Sequence, residues 1–178
     1  MNVTNKPYPN KSISHDALLN GITKRIANKS DQAHSLVHEH LIGSMAVGFI
    51  PIPMLDSAVL MGIHLKMLNN LCNLYGYKFS KTWGKSVIAS LLGFFGTKAA
   101  FVPLAVSIAK IIPGIGTVSA IASMSILGAS STYAIGKVFI QHFESGGTFL
   151  NFNPDEKEIH TRFKRYFDEG REIASKMK

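Results

Sequence analysis

The chain has 178 residues, enough for one domain with a workable core. Hydrophobic residues make up 46%, ordinary for a globular protein, but charged residues are only 17% against a usual ~25%. The formal net charge of +8 favours an acidic surface as partner. There is no arginine cluster interleaved with aromatics and no zinc-finger spacing, so membrane lipids are expected and nucleic acid is not. The single cysteine, Cys72, excludes an intrachain disulfide and suits a reducing compartment.

Residues 1–14 are rich in Asn, Pro, Lys and Ser and read as a flexible arm, with no apolar run of the kind a cleaved secretory signal needs. Ser14 caps a first helix carrying Leu18, Ile22 and Ile26 at every fourth position. A break is expected at 28–31, with Ser30 as a new cap. The stripe then continues through Ala33, Val37, Leu41, Met45 and Phe49 until Pro51 and Pro53 end it.

Pro53 suits the first turn of the next helix, and Asp56 sits favourably near its positive end. Leu55, Val59, Ile63, Met67, Leu71 and Leu74 line one face, Asn69, Asn70 and Asn73 fall elsewhere, and Gly76 stops the helix as its C′ residue. The segment that follows alternates rings and ammonium groups: Tyr77, Lys78, Phe79, Lys81, Trp83 and Lys85. That density suits a membrane headgroup layer, or else a loop whose aromatics pack on the core.

Charge then almost disappears. Between Val87 and Ile140 the charged residues are Lys98, Lys110 and Lys137. A short apolar helix is expected over 86–95, interrupted at Gly96, then a second apolar piece over 99–112. Pro113, Gly114 and Gly116 make a tight turn, and a long helix over 118–143 follows. This last helix is rich in small residues, including Gly128 and Gly136, which allow close helix approach. Residues 99–140 therefore read as an apolar helical hairpin, either crossing a bilayer or buried deep in a soluble bundle.

Asn153 and Pro154 are expected to open an amphipathic C-terminal helix over 154–178, with Ile159, Phe163, Tyr166, Phe167 and Ala174 on its apolar face. Glu158 and Arg162 are spaced to pair along it. The fold class is thus all-α: a helical domain over 15–145 with the apolar hairpin at its centre, and a C-terminal helix packed on the same domain.

Chemistry is sparse. His34 and His38 lie one turn apart and are weak candidates for a metal, because the zinc-protease order would need Glu where Ser35 stands. The glycines at 114 and 116 lack the Lys-Ser/Thr pair of a phosphate loop. No nucleophile, acid–base pair or cofactor motif emerges, so no cofactor and no enzymatic activity are expected.

The ordered set Pro51-Ile52-Pro53 with Asp56, Lys66-Met67, Leu74-Tyr75-Gly76, Pro113-Gly114-Ile115-Gly116, and Tyr133 with Gly136 resembles family 697 of the domains of unknown function. The resemblance spans about 35–143. It implies a bacterial, α-helical, membrane-associated domain often linked to GTPases, with no catalytic residues to carry over. No GTPase segment precedes the helices here, so a GTPase would act in trans. The expected role is a non-enzymatic, membrane-associated helical adaptor or regulator at the cytoplasmic side of the bacterial inner membrane. The alternatives are a soluble cytoplasmic bundle binding a protein partner or apolar ligand, and a pore-forming protein. Self-association is left open.

Overall fold

Hydrophobic stripes repeating at three and four residues along most of the chain call for helices that bury one face each. The structure, a computed structural model, describes residues 15–47, 55–99 and 117–177. Within them the chain forms five helices and no strand: α1 (His15–Val47), α2 (Leu55–Tyr75), α3 (Lys81–Ala99), α4 (Thr117–Glu144) and α5 (Lys157–Lys176). The expected arm at 1–14, Pro53, and the turn at Pro113, Gly114 and Gly116 lie outside the described residues.

α4 is the centre of the bundle, with α1, α2 and α5 packed along it and α3 set mainly against α2. Ser44 meets Thr132 while Val37 faces Gly136, so α1 runs antiparallel to α4. His64 meets Thr132 and Tyr75 meets Glu144, so α2 runs parallel to α4. Tyr166 bonds Gln141 and Gly170 sits against Tyr133, which makes α5 antiparallel to α4. Close approach explains the small residues. A Cβ on Gly136 would lie 2.7 Å from Val37 Cγ1, and one on Gly170 would lie 2.9 Å from Tyr133 Cβ. At Gly128 the nearest neighbour is Ser44 O, at 3.4 Å.

The core gathers Val37, Leu41, Met67, Leu68, Leu71, Ile88, Leu91, Ile135 and Phe139, all at 1% exposure or less. It continues from 129 to 143 along α4, where Ala134, Val138, Ile140 and Phe143 are also buried. The second half of that helix, whose charges are Lys137 and Glu144, is therefore largely covered by protein. Among the described residues no helix is long and apolar enough to cross a membrane. Burial in a bundle and burial in lipid demand the same composition, and here neighbouring helices meet the demand.

Three boundaries differ from the sequence expectation. α1 runs unbroken through 28–31, where Gln32 Nε2 donates to Asn28 Oδ1 one turn back. A continuing helix needs only one more bond per residue, whereas a restart needs a new nucleus, so local capping signals lose. α3 begins at Lys81 and passes through Gly96, which puts Trp83 and Lys85 on a helix. α5 begins after Glu156 rather than at Pro154; Asn153 Oδ1 instead accepts from the Asp155 N–H in a turn ahead of it.

The end of α2 matches expectation. Gly76 adopts φ +81°, its N–H donates to Asn73 O, and the Tyr77 N–H donates to Cys72 O, the paired bonds of a Schellman cap. α4 ends the same way at Gly146 (φ +86°), whose N–H and that of Gly147 donate to Phe143 O and His142 O.

Candidate functional site

Polar side chains on the buried faces of α1, α2 and α4 converge at one level of the bundle. His64 on α2 is fully buried, and its Nε2 lies 3.0 Å from Thr132 Oγ1 and 3.4 Å from Ser131 Oγ on α4. Ser44 Oγ on α1 lies 2.6 Å from Thr132 Oγ1 and 2.8 Å from His40 O. Thr132 and Ser131 both donate back to Gly128 O, at 2.9 and 2.8 Å. Each hydroxyl has one proton, so with those two committed to the carbonyl the proton shared with His64 sits on Nε2. Nδ1 is then a bare acceptor, buried and without a partner among the described residues. A second proton would place a charge in an apolar site, so burial pushes the His64 pKa down to about 3.

Chemically this junction ties three helices into one register. Its hydroxyl protons are committed to backbone carbonyls or to each other. The expected small-residue stripe foreshadowed α4's share, because serines on an apolar helix must bond back to it or across it. Nothing in the sequence marks His64, since its partners lie 67 and 68 residues away.

A second polar seam joins α4 to α5. Tyr133 OH donates to Glu169 Oε1 at 2.5 Å, and Tyr166 OH donates to Gln141 Oε1 at 3.1 Å. Lys137 lies over both rings, 5.8 Å from the Tyr133 centroid and 5.5 Å from that of Tyr166, so the charge inside the apolar stretch meets two aromatic faces. His34, exposed on α1, lies within electrostatic reach of this seam. Its pKa is lowered by partial burial and then by Lys137, against opposing pulls from Glu144, Asp31 and Glu169.

The remaining expected positions are placed as follows. His34 and His38 lie on the outer face of α1 and line a shallow groove with Ser35, Glu39 and Ile42. Among the described residues no group of three or more His, Cys, Asp and Glu is arranged to hold a metal ion. Asp56 falls in the first turn of α2. The rings of Tyr77, Phe79 and Trp83 are half-buried against the bundle: Tyr77 lies 4.9 Å from Phe143, Phe79 lies 5.2 Å from Phe149, and Trp83 Nε1 donates to Phe149 O at 3.0 Å. Lys78, Lys81 and Lys85 are exposed beside them.

Cys72 is buried, and desolvation pushes its thiol up to about 12. In the native protein at pH 8 it is expected to resist a thiol-reactive dye until urea opens the bundle, as followed by absorbance. Stoichiometric labelling within minutes without denaturant would contradict its placement.

Compared with known proteins, residues 15–169 match the family described as a domain of unknown function (DUF697). The chain is also similar to Magnetosome membrane protein 22 of Magnetospirillum gryphiswaldense, at 36% identity over 146 residues, covering 82% of this chain and 74% of that protein. No solved structure matches it.

Proposed function

We propose a function from one premise: the chain belongs to the DUF697 family. It is a non-enzymatic, membrane-associated helical protein that works as an adaptor or regulator. The observation that carries this reading is the similarity, over most of the chain, to a protein named for its membrane. The net charge of +8 agrees with it, since anionic headgroups of a cytoplasmic leaflet attract basic proteins. Because the second half of α4 is already covered by α1, α2 and α5, lipid contact falls to the apolar run ahead of it, residues 100–116 by sequence, while the bundle stays outside the hydrocarbon. The bundle is then free to hold a partner on the cytoplasmic side of a bacterial inner membrane, and a GTPase in trans is one such partner.

Fractionation of the untagged protein at low expression tests this. The protein is expected in the membrane pellet and is released by detergent. Recovery as a monodisperse helical species in the supernatant would overturn the reading in favour of a soluble bundle.

A further inference from the structure

The stripe of α1 does not end where the bundle does. Leu18, Ile22 and Ile26 continue, through Ser30 and at spacings of three and four, the buried line of Ala33, Val37, Leu41 and Ser44. The second half of that line packs on α4, but α4 stops at Glu144, opposite Ile26 and Ser30, and α2 stops at Tyr75. About 16 Å of α1, from His15 to Arg25, therefore runs on past the ends of its neighbours at 1.5 Å per residue. Its apolar side chains are open: Leu18 is 52% exposed, Leu19 47%, Ile22 47% and Ile26 64%.

Where this projection leaves the bundle, it makes two notches. One, of about 480 Å³, is lined by Lys24, Arg25, Asn28, Lys29 and Gln32 over an apolar floor at Leu74, and contains no acid. The other, of about 470 Å³, is lined by Arg25, Ile26, Lys29, Tyr75 and Glu144. Three cations thus flank an apolar stripe that has no helical partner among the described residues.

We infer that this projecting end of α1 seats an acidic amphipathic helix of a partner protein, laid in line with α4 against Leu18, Ile22 and Ile26, with its carboxylates on Lys24, Arg25 and Lys29. The stripe asks for an apolar helical face, and the cations ask for carboxylates beside it. Other occupants fit less well. The stripe faces across the seam that α4 fills lower down, so a flat lipid surface would meet the ends of α4 and α2 first. A second copy would bring the same three cations, with Asp16 and Glu144 as the acids, against the same set. This deepens the adaptor reading and rests on it.

The test uses the full chain and a fluorescein-labelled synthetic helix with leucines at i, i+4 and i+7 and glutamates on its flanks. The same helix with lysines for glutamates is the control. Fluorescence anisotropy should show binding of the acidic helix alone. The triple variant Lys24→Glu, Arg25→Glu and Lys29→Glu should weaken it roughly tenfold or more and admit the basic helix instead. Ile22→Ser with Ile26→Ser should weaken the acidic helix by a similar factor. All five side chains line open surface or the notches rather than the core, and circular dichroism checks that the bundle stays folded. Equal binding by wild type and the triple variant, no binding at all, dimerisation in the ultracentrifuge lost in the Ile22/Ile26 variant, or anionic-vesicle binding lost in the same variant would each overturn the proposal. Peptide binding is read without membranes, so its failure leaves the fractionation result standing, and the reverse.

Discussion

A His64→Leu protein is expected to lose an acid sensitivity that the wild type carries. The imidazole is neutral when folded, with its pKa down at about 3, and titrates near 6.5 when unfolded. Between those values the unfolded chain binds the extra proton. Stability supplied by the neutral imidazole is therefore complete above about pH 6.5 and falls as pH drops toward 3. Each pH unit in that window is worth about 1.4 kcal/mol, so the gap between wild type and variant should shift by about 2 kcal/mol from pH 7 to pH 5. Other titrating groups are common to both proteins and cancel in the difference. At pH 7 the cost of the leucine itself should be small. Thr132 and Ser131 keep their bonds to Gly128 O, and the orphaned Nδ1 is removed. Parallel urea-stability curves across that range would show that His64 is not held neutral in the core.

The second large effect belongs to Gly136. An alanine there would drive its methyl into the Val37 side chain where α1 packs on α4. Overpacking of a tight core typically costs ~1–3 kcal/mol, and this contact falls at the upper end because both neighbours sit mid-helix on backbones fixed by other contacts. Val37→Ala should restore the space. In a double-mutant cycle, Gly136→Ala should cost about 2 kcal/mol less on the Val37→Ala background than alone. Additive losses would mean that the two helices do not meet at this pair.

These cases also show what could be read from the sequence. Gly76 was legible as a helix stop because its reason is local: a positive φ that favours glycine, followed by bonds within one turn. The long small-residue helix was legible from its period and from Gly128 and Gly136. Its environment was not, because an uncharged, small-residue helix satisfies lipid and protein neighbours alike. The unbroken α1 was missed because Ser30 and Asn28 carry capping chemistry that the helix, with Ala33 and Val37 anchored on α4, simply overrides. The His64 junction was hidden for a different reason. Its members are ordinary serines, a threonine and a histidine, and only the folding of three helices onto one level brings them together. The stripe at Leu18, Ile22 and Ile26 was visible as a helix face, but that α2 and α4 do not reach it depends on where those two helices end.

In the proposed function, lipid contact falls to residues 100–116 and the bundle stays outside the hydrocarbon. Tryptophan quenching by brominated lipid tests this most directly, because Trp83 is the sole tryptophan and sits against Phe149 in the bundle. Wild-type protein is compared with a Trp83→Phe, Leu104→Trp variant, both bound to anionic vesicles. Strong quenching of the tryptophan at position 104 and little of Trp83 are expected. Strong quenching of Trp83, or none at either position, would contradict this placement.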